Sequence, residues 1–309
     1  MKKEKLLFFS RVLIASALLV YLLFFIEIEN IINSLLNVNF SLFLLALFLL
    51  IPNIFFQFMK WRFLLKSILN FENNNKVMRS LFVGLSSGIF TPFRVGEYYG
   101  RSLDITGSTV SEVAALTVLD KFFVVVTIAV IGGAFFLFFI SNLNEVNPVI
   151  KYVIGFFILC ILFIPFILIK LKGSKLFYLL RKIKIVSTFL DRIASLKKFN
   201  VSIAIKTFFF TVLVYIIYTL QYSILISAFS ESSVLSNNYF FTNVVMFSKA
   251  MIPQISFGEL GVRESTSIFY SSYFNLTSVA VFNASILIFV INLLVPAVIG
   301  FFFITKKSK

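Results

Sequence analysis

Arg94, Glu97 and Arg101 fall in one short stretch, SGIFTPFRVGEYYGR, and Glu259, Arg263 and Glu264 fall in another, MIPQISFGELGVRES, just after Lys249. Asp120 and Lys121 lie inside the apolar run that follows the first stretch. Arginine presents a planar fork that grips two phosphate oxygens, whereas lysine is a compact positive charge. A charge at the centre of a bilayer costs about 2.5 to 3.5 kcal/mol even on a lenient scale, so these side chains must face one another, a ligand or water. Arg94, Glu97, Arg101, Asp120, Lys121, Lys249, Glu259, Arg263 and Glu264 are therefore the candidate substrate-binding residues. Arg94 and Arg263 are the candidates to hold an anionic headgroup. The glutamates are open to orienting them, meeting a cationic headgroup or carrying a proton.

Composition narrows the setting. Of 309 residues 60% are hydrophobic, 13% are charged, and the mean hydropathy is +1.00, which no soluble domain of this size sustains. The chain is expected to be an integral membrane protein. Cys160 is the single cysteine and there is no histidine, which removes disulfide frameworks, zinc sites and histidine-based acid/base chemistry. No phosphate-loop signature occurs. No catalytic residue, metal or cofactor is expected, and the chain reads as a non-enzyme. The net charge of +15 points to a cytoplasmic membrane face and anionic inner-leaflet lipid, with no nucleic acid as partner.

These charges need elements to hold them at depth. Runs of about 20 apolar residues span a hydrocarbon core, and six qualify: 6–26, 40–58, 113–140, 149–169, 201–229 and 278–304. Two shorter runs, 80–90 and 240–252, lead straight into the charged stretches and reach about halfway across. Proline breaks a helix and glycine lets backbones approach closely, so Pro92, Gly96, Pro253, Gly258 and Gly261 are assigned to structural turns. The fold class predicted is an all-α polytopic membrane protein with six full spans and two re-entrant helical hairpins.

Lysine and arginine gather before the first run, in 60–79, in 170–198 and in the tail, whereas 27–39, 141–148 and 230–238 hold none. Both termini are therefore predicted to be cytoplasmic, in the cell membrane. The order span, span, dip, span then recurs in the opposite sense, which is the pattern of an inverted repeat. Residues 1–309 read as one transmembrane domain, with halves at about 1–140 and 149–305. Each break shows a proline followed by a Gly-Glu pair, Gly96-Glu97 and Gly258-Glu259. Within the second half, 170–198 reads as an amphipathic helix on the inner leaflet, and Trp61 as an interface anchor.

The same residues resemble a known family. FVGLSSGIFTPFRVGEYYGRSLDI, LTVLDKFFVV and IPQISFGELGVRES look like the lysylphosphatidylglycerol synthase transmembrane region family, also described as flippase-like integral membrane proteins. The likeness lies in Pro92, Arg94, Gly96, Glu97 and Arg101, the pair Asp120 and Lys121, and Pro253, Gly258, Gly261, Arg263 and Glu264. Ser86, Ser87, Lys121, Phe257 and Glu259 depart from the usual pattern. The resemblance implies a polytopic fold with re-entrant helices and, as in the best-known members, movement of aminoacylated phosphatidylglycerol between leaflets; the function expected of this chain is that of a lipid flippase or lipid-linked transporter moving a phosphate-bearing lipid, aminoacylated or polyprenyl-linked among the options. The soluble synthase domain carried by some members is not in this sequence, so synthase activity is not expected of it. The alternative function is an accessory subunit of a separate lipid synthase or glycosyltransferase, with a lipid-phosphate enzyme behind that.

Overall fold

A computed structural model of the chain describes residues 28–89, 91, 94–143, 149, 153–156, 198–230, 233–252 and 261–305. The expected first span 6–26, most of 149–169, the segment 170–198 up to Lys198, Cys160, Pro92, Pro253, Gly258 and Glu259 lie outside the described residues. Among the described residues every regular element is helical. In chain order these are α1 (Ile28–Leu36), α2 (Phe40–Leu69), α3 (Asn74–Ile89), α4 (Val95–Gly100), α5 (Val110–Ser141), α6 (Val201–Phe229), α7 (Leu235–Met251), α8 (Val262–Ser271) and α9 (Ser278–Ile304).

Four of these, α2, α5, α6 and α9, are long and apolar enough to cross a membrane. The expected run 201–229 coincides with α6 and 278–304 with α9. The other two are longer than expected. Helix α2 continues past Phe58 to Leu69, and α5 starts at Val110 because Thr109 and Glu112 form a reciprocal cap there. Helices α3 and α7 also begin earlier than the runs at 80 and 240, in polar turns that hydropathy does not register.

Asn39 caps α2 by accepting from the Leu42 amide, and Asn200 caps α6 by accepting from that of Ile203. The interval from Asn39 to Asn200 is also the interval from Asn74 to Leu235, the first residues of α3 and α7. Thr109 and Thr277 cap α5 and α9, and each follows by two positions a residue of positive φ, Gly107 (84°) and Asn275 (54°). Gly132 and Gly300, deep in α5 and α9, are separated by the interval that separates those threonines. Helices α5 and α9 also carry one wide π turn each, Ile128–Gly132 and Val290–Leu294. The second precedes Pro296, whose missing N–H forces the hydrogen-bond ladder to re-register.

Helices α2 and α6 run in opposite senses, and so do α5 and α9. At the start of α2, the Asn39 amide donates to Ala228 O near the end of α6 (2.9 Å), while beyond the end of α2 Asn70 Oδ1 accepts from Lys198 Nζ (2.7 Å) just before α6 begins. Likewise Phe139 near the end of α5 stacks on Phe274 just before α9 (centroids 5.4 Å), and Arg79 ties Phe303 O at the end of α9 to Asp104 shortly before α5. Helix α3 packs on the last part of α9, and α7 on the last part of α5. Helix α6 touches α2, α5, α7 and α9 and forms the centre. One apolar cluster surrounds Trp61, Leu116 and Phe123, and another surrounds Phe139, Phe241 and Phe274.

Candidate functional site

Helix α4 folds back on α3 because glycines at a one-turn spacing let each limb approach the other: Gly84 and Gly88 face Arg101 and Glu97, and Gly96 and Gly100 face Ser87. A Cβ at Gly96 would overlap the Ser87 carbonyl oxygen, and one at Gly100 would overlap the Ser87 hydroxyl. Gly96 is thus a packing residue inside α4 rather than the turn residue expected from sequence. The left-handed position at the head of α4 belongs instead to Arg94 (φ 55°). Thr91 Oγ1 accepts from the Gly96 amide (2.7 Å) and donates to Ser87 O (3.1 Å), which fastens the first turn of α4 to the end of α3.

That fold-back buries Glu97 completely. Its Oε1 meets Arg101 Nη2 (2.7 Å) and Lys121 Nζ (2.8 Å), and its Oε2 meets Arg94 Nη2 (3.2 Å). Asp120 lies about 15 Å into α5, three turns from its start rather than the expected two. It accepts from Arg101 Nη1 (2.9 Å) and pairs with Lys60 Nζ (2.7 Å). Two carboxylates and four cations so form one connected network. Lys60, counted with the loop cations on sequence grounds, is buried in it. Trp61 is likewise buried beneath Arg101, not at an interface.

The second hairpin is built differently. Gly261 (φ 88°) heads α8 as the expected turn residue, and Val262, Arg263 and Glu264 follow it as Val95, Gly96 and Glu97 follow Arg94. In this backbone register Glu264 takes the position after Gly261 that Glu97 takes after Arg94. Glu264 is fully buried; its Oε2 accepts from the Gly261 amide (2.6 Å), and its Oε1 accepts from Ser285 Oγ (2.8 Å) and lies 3.7 Å from Arg263 Nε. Arg263 Nη1 donates to Tyr218 OH (2.8 Å), with the guanidinium 6.0 Å from the Phe289 ring centroid.

Both hairpins open on one chamber of about 390 Å³. At ~30 Å³ per water, that holds roughly a dozen waters or a polar headgroup. Among the described residues Lys60, Arg94, Arg101, Lys121, Lys249 and Arg263 line it, with Glu97 and Asp120. Of the nine expected site residues, the structure brings together at this wall Arg94, Glu97, Arg101, Asp120, Lys121, Lys249 and Arg263. Glu264 stands directly behind Arg263. Sequence reasoning missed Lys60, Asn53, Gln57, Asn292 and Tyr218, which also line the chamber. A signal for three was present: Asn53, Gln57 and Lys60 recur at i, i+4 and i+7, a polar stripe along one face of an apolar helix.

A second recess of about 770 Å³ lies on the other side of α7 and α8, with Phe136, Ile154, Phe247, Met251, Ile252 and Phe269 in its wall and no charged residue among the described ones. Lys249 and Arg263 face the polar chamber, while Ser248 and Ser265 face the apolar recess. Among the described residues no three His, Cys, Asp or Glu side chains group as a metal site.

A multi-pass helical protein with cations gathered around an internal chamber is the class that fold and site define. The chain belongs to the family described as the lysylphosphatidylglycerol synthase TM region, whose family model matches residues 10–300. A search of curated proteins finds no match.

Proposed function

We propose that the chain carries a lipid from one leaflet to the other, holding its phosphate in the chamber between the two hairpins while its acyl chains stay in the bilayer. The observation that carries this reading is the charge of the chamber wall, which among the described residues holds six cations and two carboxylates in about 390 Å³. An anion is the ligand such a wall compensates. The apolar recess across α7 and α8 supports it as a place for an acyl chain beside the headgroup.

The proposed architecture has six spans with two re-entrant hairpins and two halves of inverted topology. The repeated caps, the recurring intervals and the antiparallel pairing of α2 with α6 support the inversion. Such halves rock about a fixed midplane site, exposing it alternately to either side. Both termini are placed in the cytoplasm of the cell membrane, with anionic inner-leaflet lipid against 170–198. Transport is favoured over catalysis because Glu97 and Asp120 are each held by two or three cations, so neither is free to act as a base.

The test is reconstitution into liposomes with leaflet-labelled phosphatidylglycerol. Wild type is expected to accelerate exchange, and the Arg94→Ala, Arg263→Ala double variant to lose most of that acceleration. Equal rates for the two proteins would remove the chamber as the transport site.

A further inference from the structure

The three cations around Glu97 are not equivalent. Its Oε1 meets both Arg101 Nη2 (2.7 Å) and Lys121 Nζ (2.8 Å), whereas its Oε2 meets Arg94 Nη2 alone, at 3.2 Å. Among the described residues neither atom of that last contact makes a hydrogen bond. Arg101 is committed: Nη1 donates to Asp120, Nη2 donates to Glu97, the guanidinium lies over Trp61, and the side chain is only 3% exposed. The side chains of Arg94 and Lys121 are 21% and 31% exposed, and both line the chamber. Arg101 therefore belongs to the frame, while Arg94 and Lys121 are the cations within reach of an anion.

An anion in the chamber competes with Glu97 for those two. Lys121 has three N–H donors and spends one on Glu97, so it serves both acceptors at once. Arg94 carries the planar fork that suits two phosphate oxygens, and its contact with Glu97 leaves that fork unaligned. Giving up Arg94 strands no charge, because Glu97 keeps Arg101 and Lys121 on its other oxygen. A buried carboxylate stripped of every partner would resist such an exchange.

Resting on the anion-binding reading above, we infer that Glu97 is an internal stand-in for the ligand's phosphate: it holds Arg94 while the chamber is empty, yields it to a bound phosphate and reclaims it on release. Glu97 is then a positioning residue, acting through Arg94 to keep the affinity low enough for turnover. A lipid headgroup and free phosphate offer Arg94 the same oxyanion.

The experiment compares the purified full chain with Glu97→Gln, which removes the charge but keeps an oxygen for Arg101. Binding of dioleoyl phosphatidylglycerol is read by native mass spectrometry, and binding of inorganic phosphate by calorimetry. Glu97→Gln is expected to bind the lipid about tenfold more tightly, the scale of one charge-assisted hydrogen bond, and to exchange it between liposome leaflets more slowly, because tighter binding slows release. A merely structural role would lower both. In an Arg94→Gln background the gain is expected to vanish, whereas a general change of field would survive there. Glu97→Asp keeps the charge but withdraws it by one methylene; it is expected to tighten binding by less, and it carries the test if Glu97→Gln does not fold. Equal or weaker binding by the folded variants, or a gain that persists without Arg94, overturns the inference and leaves the anion site standing. A gain for inorganic phosphate with none for the lipid keeps the inference and overturns the lipid as ligand. Failure of wild type to bind either one overturns the proposed function itself.

Discussion

Arg101 lies over the indole of Trp61, its guanidinium carbon 4.5 Å from the ring centroid, and the contact closes a loop of hydrogen bonds. Trp61 Nε1 donates to Ser80 Oγ (3.1 Å), and Ser80 Oγ donates to the Arg101 carbonyl (2.5 Å). Three helices are thus tied to the residue that joins Glu97 to Asp120. Arg101 is itself buried, so its position serves the network more than it serves a ligand.

Trp61→Phe keeps an aromatic face but loses the indole donor. A net hydrogen bond of about 1 kcal/mol and part of a desolvated cation–π contact worth up to about 2 kcal/mol are removed. The variant is expected to melt several degrees below wild type in detergent while still binding lipid. Arg101→Ala leaves two buried carboxylates short of a partner, a loss of about 3 to 5 kcal/mol, and is expected to abolish folded yield. Arg101→Lys restores the charge but not the fork, and should fall between them in the same thermal assay.

The glycines separate crowding from backbone strain. Gly100→Ala forces a methyl into the Ser87 side chain at the α3–α4 contact, and overpacking of this kind costs about 1 to 3 kcal/mol. Gly107→Ala meets nothing within 4 Å, but it must hold φ at 84°, which costs about 1 kcal/mol. Lipid exchange is expected to fall in Gly100→Ala, because Glu97 and Arg94 move with α4. In Gly107→Ala only the melting temperature should drop.

The long apolar runs were legible because their ends coincide with side-chain caps: Asn200 opens α6 and Thr277 opens α9. Helix α2 was cut short at Phe58 because Lys60 and Arg62 look like the start of a loop, and hydropathy carries no knowledge that Asp120 waits opposite Lys60. The same blindness placed Trp61 at an interface. Most of the charged site was legible, since ionised groups in an apolar run are costly enough to stand out. Asn53 and Asn292 carry no charge and were passed over, although both line the chamber. The likeness of Glu264 to Glu97, each third after a residue of positive φ, lies in the backbone, whereas spacing counted from the prolines leads to Glu259 instead.

The antiparallel relation of matched helices assigns loops to sides. Asn73, before α3, and Lys198, before α6, belong to one end of the molecule, whereas Asn142, after α5, and Ser233, before α7, belong to the other. In a Cys160→Ser background, single cysteines at Asn73 and Lys198 are expected to react with an impermeant maleimide only from the cytoplasmic side, where basic loops are retained. Cysteines at Asn142 and Ser233 should react only from outside. Labelling of all four from one face would contradict this assignment of the two ends.

Lys60 and Asp120 provide the sharpest test of the site's construction, because charge counting and structure disagree about Lys60. In the structure Asp120 has two cations, Lys60 at 2.7 Å and Arg101 at 2.9 Å, whereas Lys60 has Asp120 as its only ion-pair partner among the described residues. Asp120→Asn should therefore cost more than Lys60→Met: the first strands a buried ammonium, the second leaves Asp120 still paired with Arg101. The stranded charge sets the first loss at about 3 to 5 kcal/mol. Removing both ends the stranding, so the double variant should be more stable than Asp120→Asn alone. A coupling of at least about 1 kcal/mol is expected in the double-mutant cycle by denaturant unfolding in micelles. Strict additivity would return Lys60 to the loop cations and detach α2 from the network that holds Arg101.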